Sequence, residues 1–442
     1  MWKEHMDSQS KVSKTYRNIR VAILAEEPLG WGSGKHYFPM ILHYSWEKEN
    51  VLYEFSYTYI YDVDILNKKL TTNNFDVLLV PGGGVGDGES VAKGFLHVPK
   101  IKKWKKAISQ FIKDGGGYVG ICGGTAMLTE LETKRGKPKT FLEKRYDRSS
   151  IGVSSVKSYY KEISVPLLYP FQYTHPETIG ASAYIFSFSP GKTQDNIFIH
   201  TGGVPIDFVI NKKHPLFSDI KDTKIRIRWW GGPGLIIPEK RSDDINILAW
   251  YPDDALTDKT KTSIVAWRYT GGVYGLFQGF WKACVLMKKH HEPFKHLFLY
   301  TYYLAGPWEK THRRIDTDLA KKASITTEIY PNEHKGRILL CTSHPEYMIW
   351  WDGHIEEEPE VKDHMMGEGF HRWHDIRPLS KDLIDEFTAT WWIVRRFVAW
   401  AAKVPDDHMP PIEKGAIDEK AQRILSENVF WDNTLLNQMK NI

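Results

Sequence analysis

The sequence predicts an α/β protein built on a parallel β-sheet with helices on both faces. Two features support this prediction. Short apolar runs alternate with helical patterns between residues 19 and 135, and glycine-rich turns follow two of those runs. Strands that alternate with helices pair in parallel, because each connecting helix crosses back over the sheet. The carboxyl ends of such strands form the edge at which ligands bind.

Three apolar or β-branched runs begin this pattern. We expect strands at RVAILAEE (20–27), YEFSYTYIY (53–61) and FDVLLV (75–80). Between the first two runs, the pattern favours a helix over about 37–48. After the third run, PGGG (81–84) is typical of a turn, and Pro99 begins a helix whose apolar residues recur at helical spacing up to Gly115.

Beyond residue 135 this alternation is lost, and the domain organisation is inferred from composition. We expect a polar N-terminal tail at 1–18, one α/β domain at 19–403 with insertions at about 136–211 and 271–335, and a C-terminal helical arm at 404–442. Further strands are expected at NIFIH (196–200), KIRIRWW (224–230), INILAWY (245–251), TSIVAWRY (262–269) and GRILLCTS (336–343). A last helix is expected at 381–403, with Ser380 as its N-cap.

Composition limits the classes of function and partner. The 442 residues include 59 Lys and Arg against 54 Asp and Glu, so no nucleic-acid partner is expected. The polar N-terminus lacks a signal-peptide pattern, and no apolar run is long enough to indicate a membrane partner. The three cysteines, Cys122, Cys284 and Cys341, form no paired motif, which indicates a reducing compartment and predicts a cytoplasmic location.

The stretch GYVGICGGTAML (117–128) is the strongest candidate for chemistry. YVGI (118–121) is typical of a strand and GGTAMLTEL (123–131) of a helix, with Cys122 at the turn between them. A nucleophile on such a turn stands at the ligand-binding edge of the sheet, and its crowded position requires small neighbours. A helix N-terminus also favours the reactive thiolate. The alternative is a buried cysteine that only fills space.

Two further motifs would complete a thiol active site. The N–H groups of PGGG and of Gly123 would lie at the same sheet edge, where they could bind an oxyanion. A base is offered by His-Pro-Glu, which occurs twice. His344 and Glu346 follow the strand GRILLCTS, whereas His175 and Glu177 follow SVPLLYPFQY, whose prolines argue against a central strand. The sequence favours the first pair and leaves the second as the alternative base.

Together, the G-x-C-x-G elbow, the upstream PGG loop and the downstream His-Pro-Glu resemble the class I glutamine amidotransferase-like superfamily. More narrowly, the chain is similar to the amidotransferase-like N-terminal domain of some biotin–protein ligases. That similarity is carried by GICGG, HPLF (214–217), RWWGGPG (228–234) and GRILLCTSHPE (336–346). The resemblance implies a flavodoxin-like sheet, enlarged here by insertions.

The resemblance also implies roles for particular residues. Cys122 would be the nucleophile, His344 the base and Glu346 the acid that orients it. The residues around the oxyanion would be Gly83, Gly84 and Gly123. The implied activity is hydrolysis of an amide C–N bond in a small molecule such as glutamine, with a possible separate synthetase subunit as partner and no cofactor.

Two other functions remain open at this point. A non-catalytic ligand-binding or scaffolding module would keep the elbow as inherited architecture. A redox-sensing thiol, as in the related DJ-1-like proteins, would pair Cys122 with an acid at the end of the first strand, such as Glu26. Trp351 is a candidate pocket residue. No metal is expected, since the spacing of the nearest histidine group, HMMGEGFHRWH (364–374), matches no familiar site.

Overall fold

The structure is a computed structural model of the chain. It describes residues 14–25, 37–82, 98–134, 136–139, 143–144, 147–148, 150–161, 188–190, 198–200, 204–229, 231–255, 257, 264–269, 271–290, 297, 308–346, 385 and 388–417.

The described residues form strands, α-helices and two short 3-10 helices. The strands are β1 (Thr15–Leu24), β2 (Ser45–Lys48), β3 (Val51–Ile60), β4 (Val77–Val80), β5 (Gly117–Ile121), β6 (Glu130–Thr133), β7 (Lys157–Tyr160), β8 (Phe188–Pro190), β9 (Phe198–His200), β10 (Val204–Ile210), β11 (Lys224–Trp229), β12 (Gly234–Ile236), β13 (Ile245–Trp250), β14 (Ile264–Tyr269), β15 (Trp308–Ile315), β16 (Ala323–Ile329) and β17 (Arg337–Cys341). The α-helices are α1 (Phe38–Leu42), α2 (Asp62–Leu66), α3 (Val98–Lys113), α4 (Gly123–Leu128), α5 (Gly272–His290) and α6 (Trp391–Ala401). The 3-10 helices are Glu239–Asp244 and Asp406–His408.

Five parallel strands form the centre of the main sheet, in the order β3-β1-β4-β5-β17. Counted along the chain, this is the order 2-1-3-4-5, which defines a flavodoxin-like sheet. The predicted fold class is therefore confirmed by the strand order itself.

Antiparallel strands widen the sheet on both sides of this centre. β2 pairs with β3 at one edge, and β16, β13, β10 and β11 continue the sheet beyond β17. β12, β7 and β6 branch from β16. The sequence predicted several of these strands but not that they would extend the parallel sheet, because strand propensity carries no information about a distant pairing partner.

Helices cover both faces of the parallel centre, as predicted. In β1, Val21 and Ile23 pack into one apolar core, while Ala22 and Leu24 pack into the other. The first core contains the buried residues of α1 and α6, and the second contains the apolar side of α3. This alternation follows from the strand geometry, in which successive side chains point to opposite faces.

Two predicted helices differ from the observed elements. The helix expected over 37–48 ends at Leu42, and β2 then pairs with β3 around a two-residue turn in which Glu49 and Asn50 both have positive φ. For the helix expected over 381–403, α6 covers Trp391–Ala401 after a turn at 388–390; of 381–387 only Asp385 is described, and it is helical. The break after Leu42 is not marked by Gly or Pro, so the apolar pattern alone extended the first of these predictions too far.

The described part of the C-terminal segment, 404–417, lies against the first core. Trp46 donates its indole N–H to the carbonyl of His408 (2.8 Å), and Arg396 donates to the carbonyl of Pro410 (2.7 Å). Arg395, buried in α6, donates to the carbonyl of Ala416 (2.7 Å). The two arginine bonds are charge-assisted and attach the segment to α6, and the Trp46 bond attaches it to β2. Among the helices of the described residues, none is both long enough and apolar enough to cross a membrane.

The partly buried His214 predicts a loss of stability in acid. Its Nδ1 accepts the N–H of Leu216 (3.3 Å), and burial lowers its pKa from 6.5 to about 4. Between those two pH values the unfolded chain binds a proton that the folded chain does not, so stability falls as the pH drops from 6.5.

We expect His214→Asn, which keeps an acceptor for Leu216 but does not titrate, to reduce this loss by about 1 kcal/mol between about pH 7 and pH 5. Urea unfolding of both chains at the two pH values measures the difference. An equal loss of unfolding free energy in the wild type and the variant would show that His214 does not contribute to the loss of stability in acid.

Candidate active site

Three neighbouring parallel strands end at the same edge of the sheet, and each is followed by a residue of the candidate site. β4 is followed by Pro81 and Gly82, β5 by Cys122, and β17 by the segment that leads to His344. The last paired residues lie side by side, with Val80 opposite Gly120 and Cys341 opposite Ile121. The register therefore delivers a glycine turn, a thiol and an imidazole to one place.

Cys122 occupies a strained turn between β5 and α4. Its backbone has φ 47° and ψ −106°, a conformation that residues with a side chain rarely adopt. Its N–H donates to the carbonyl of Cys341 (2.7 Å), and its own carbonyl accepts the N–H of Thr125 (2.9 Å). Strain of this kind persists only where the surroundings impose it, and it is concentrated at functional sites. The sharp strand-to-helix turn predicted from the sequence is present.

The glycines beside Cys122 are required by close packing. A Cβ on Gly124 would lie 2.4 Å from the carbonyl oxygen of Val80, and a Cβ on Gly120 would lie 2.8 Å from the backbone of Gly124. Both distances are too short for real atoms to remain in place. The helix that begins at Gly123 is six residues long, so it offers the thiol its first backbone N–H groups, including that of Gly123, rather than a large dipole.

Gly82 shows how close the thiol residue and the imidazole are. A Cβ on Gly82 would lie 2.6 Å from Cε1 of His344 and 2.7 Å from Cβ of Cys122. The two side chains therefore converge on the same small space, which stays open because residue 82 has no side chain. Cys122 and His344 are both almost fully buried, with 5% and 1% of their surfaces exposed.

His344 is held by a carboxylate from the same tripeptide. Its Nδ1 lies 2.8 Å from Oε1 of Glu346, which is fully buried. A carboxylate accepts a hydrogen bond from Nδ1–H, so the proton stays on Nδ1 and Nε2 is the nitrogen that can accept a proton. A buried hydrogen bond to a charged group is also stronger than one in water.

The backbone around His-Pro-Glu is fixed from two sides. The N–H of His344 donates to the carbonyl of Arg228 at the end of β11 (2.7 Å). From the start of α6, Thr390 donates its hydroxyl to the carbonyl of Pro345 (2.6 Å), and Trp391 donates its indole N–H to the carbonyl of Glu346 (3.0 Å). The imidazole is therefore positioned by bonds that do not depend on a ligand.

A second buried charge lies near the tripeptide. Arg228 is 1% exposed, and its charge, together with that of Glu346, acts on the buried Tyr37. Burial raises the pKa of Tyr37 above its usual range, the positive charge of Arg228 opposes that rise, and the negative charge of Glu346 adds to it. Arg228 was not predicted from the sequence. It lies on the same face of β11 as Arg226, which is exposed, so the alternation of residues along the strand does not indicate that Arg228 is buried.

Hydroxyl groups support the segment that precedes His344. The hydroxyl of Thr342 lies 2.8 Å from that of Tyr251 and 2.9 Å from that of Ser324, and Tyr251 donates to the carbonyl of Pro233 (3.0 Å). Gly232 packs so closely on Thr342 that a Cβ would lie 1.8 Å from its carbonyl oxygen. These contacts explain why the GGPG stretch adjoins the candidate site.

The other two cysteines lie apart from this arrangement, and several predicted site residues lie outside the described structure. Cys341 lies in the core on β17, where burial raises its pKa to about 12, and Cys284 lies on α5. The predicted residues that lie outside the described residues are Gly83, Gly84, Glu26, Trp351, His175 and Glu177. The structure thus brings together Cys122, His344 and Glu346, with the N–H of Gly123 beside the thiol.

A group of possible metal ligands lies at the opposite edge of the sheet. Glu49, Asp407 and His408 offer ligand atoms within 4.8 Å of one another. Glu49 precedes β3, so the group lies at the amino ends of the parallel strands, away from Cys122. The histidines of 364–374 lie outside the described residues.

Known proteins provide only a weak structural similarity to this chain. No protein-family model matches the chain, and no curated protein matches it. Among solved structures, the chain is similar to a candidate subunit of a GMP synthase from Thermoplasma acidophilum, with 10% sequence identity and a TM-score of 0.31. That match covers 81% of this chain and 96% of the other. The fold assignment therefore rests on the strand order described above.

The open space at Gly82 predicts the effect of a single methyl group. We expect Gly82→Ala to fold but to displace the imidazole of His344, since the new Cβ and the ring cannot both occupy the space. The rate at which iodoacetamide alkylates Cys122 near neutral pH, read by peptide mass, should fall about tenfold or more.

Gly136→Ala is the matched control. Its Cβ would meet nothing within 4 Å, although its φ of +83° makes the substitution strained. A similar fall in both variants would mean that general destabilisation, rather than contact with His344, lowers the reactivity of Cys122.

Proposed function

We propose that the protein is a thiol hydrolase of amide C–N bonds, with Cys122 as nucleophile, His344 as general base and acid, and Glu346 as the group that orients His344. One observation carries this proposal. Cys122 and His344 both lie against Gly82, and Oε1 of Glu346 lies 2.8 Å from Nδ1 of His344. A nucleophile, a base and an orienting acid in that order are the recurring parts of acyl-transfer sites.

The reaction would proceed in two halves. His344 takes the proton of the Cys122 thiol, and the sulfur attacks the amide carbon, so that a C–S bond forms and the carbonyl oxygen becomes an oxyanion. The C–N bond then breaks as His344 gives the proton to the leaving nitrogen. Water, activated by the same imidazole, attacks the thioester carbon, and the C–S bond breaks to release the acid and restore the thiol.

The oxyanion needs donors that are already in place before the reaction. In this proposal they are the N–H of Gly123 in the first turn of α4 and the N–H groups of Gly83 and Gly84, which follow β4 in the sequence. The strained turn at Cys122 supports this role, because in strand-to-helix turns that carry a nucleophile the N–H of the following residue is a recurring oxyanion donor.

The substrate class is drawn from the resemblance to class I glutamine amidotransferase-like proteins. We propose a small primary carboxamide, with glutamine as the first candidate and a separate synthetase subunit as the user of the released ammonia. The narrower similarity to the N-terminal domain of biotin–protein ligases stays a prediction. A non-catalytic binding module and a redox-sensing thiol are the alternatives that the test must distinguish.

The test is release of ammonia from glutamine and from a panel of small carboxamides. We expect Cys122→Ala to lower turnover at least about a thousandfold while thermal unfolding stays unchanged, since removal of a nucleophile abolishes the covalent route. Cys341→Ala is the matched control, because that thiol is fully buried with a raised pKa and should leave turnover unchanged.

Two results would contradict the proposal. Turnover that survives in Cys122→Ala would exclude this thiol as the nucleophile. An absence of turnover on every amide, combined with ready conversion of Cys122 to sulfenic or sulfinic acid by peroxide, would favour the redox alternative.

A further inference from the structure

The helix α5 (Gly272–His290) presents large apolar side chains to the outside of the molecule. Tyr274, Phe277 and Trp281 are 72%, 67% and 71% exposed. Val273, Phe280 and Val285 are also exposed. These six side chains, here called the apolar face, are unusual because a surface helix normally turns its apolar side towards the core.

The apolar face extends from Val273 to Val285 on one side of the helix. Its members recur at helical spacing and cover an arc of about 140°. The opposite side contains Gly275 and Gly279, which are buried. The helix is therefore turned so that its smallest residues face the protein and its largest apolar residues face outwards.

This concentration of exposed apolar residues is confined to one place in the described structure. The other large apolar residues with comparable exposure are spread over separate elements, namely Tyr16, Tyr61, Val63, Ile329 and Ile412. Scattered residues of that kind need no explanation, whereas a contiguous patch marks a surface for a partner.

The chain presents α5 apart from the main sheet. Among the described strands, β14 and β15 pair only with each other, in a separate two-stranded ribbon, and α5 begins three residues after β14 ends. Cys284 of α5 is partly buried and packs against the first core, but no other described element packs extensively against α5. The insertion predicted to begin at about 271 thus includes a helix whose apolar face has no covering element among the described residues.

The charge of the segment indicates which partner it fits. The sequence from Tyr269 to His291 contains no Asp or Glu, and it contains Lys282, Lys288 and Lys289. Lysines on a helix that also exposes Trp, Tyr and Phe are typical of helices that lie in the interface of an anionic membrane. A protein partner or a second copy of this chain would not by itself require the absence of acidic residues.

We propose that α5 binds the surface of an anionic lipid bilayer, with its apolar face in the interface and its lysines near the lipid phosphates. The aromatic side chains would leave water for the boundary between headgroups and acyl chains, and the lysines would add electrostatic attraction. This inference is independent of the proposed hydrolase activity. It departs from the expectation, drawn from the sequence, that the protein has no membrane partner.

The test is co-sedimentation of the full chain with phosphatidylcholine vesicles that contain or lack phosphatidylserine. We expect binding to vesicles with phosphatidylserine, weakened by salt, and a fall of at least about tenfold in partitioning for the double variant Phe277→Ser, Trp281→Ser. Val63→Ser with Ile412→Ser is the matched control, since it removes two exposed apolar residues elsewhere and should leave binding unchanged. Lys288→Gln with Lys289→Gln should reduce the preference for phosphatidylserine.

Other outcomes would overturn the proposal. Failure of the wild-type chain to sediment with either vesicle would exclude a lipid surface. If the wild type is instead a dimer that Phe277→Ser with Trp281→Ser converts to a monomer, and no vesicle is bound, the apolar face is an interface between copies. Because the substituted side chains are exposed, the variants should fold, and their thermal unfolding checks this.

Discussion

The close pairing of β4, β5 and β17 is the constraint on which the rest of the structure depends. These three strands end in register, and the segment after each of them supplies one part of the candidate site. Thr125 reinforces the pairing, since its hydroxyl accepts the N–H of Cys341 (3.1 Å) and lies 2.9 Å from the carbonyl of Gly120. A shift of one residue in either pairing would turn the side chains of that strand to the other face and separate the thiol residue from the imidazole.

The site carries costs that the surrounding fold offsets. Cys122 has a positive φ, and Glu346 and Arg228 are buried charged groups, each of which is unfavourable alone. The hydrogen bonds of the Cys122 backbone support its strained turn, and the Nδ1 bond of His344 supports the buried carboxylate of Glu346. Replacing the buried charged groups with apolar residues would be expected to stabilise the fold. Their presence at this site therefore supports a functional role.

Much of the fold was predictable because local patterns determined it. The apolar runs, Pro99 and the glycine turns located the central strands and α3, and the elbow at Cys122 was predicted from its flanking glycines. The prediction of a helix over 37–48 was wrong beyond Leu42. There the chain forms β2, which pairs with β3 around a two-residue turn at Glu49 and Asn50, although the apolar pattern is typical of a helix. Arg228 was not predicted at the site, and the outward turn of α5 was missed, because both depend on which face a distant element covers. The sequence contains two His-Pro-Glu tripeptides. Only the pairing of β17 with β5, which the sequence does not specify, shows that His344 lies near Cys122.

The central claim is that His344, held by Glu346, activates Cys122. The most direct measurement is the rate of alkylation of Cys122 by iodoacetamide as a function of pH, read by peptide mass in the wild type and in His344→Ala. The account predicts fast alkylation of the wild type below neutral pH, and in the variant the slower profile of an ordinary thiol with a pKa of about 8.5. The same profile in both proteins would contradict it, because the imidazole would then have no influence on the thiol.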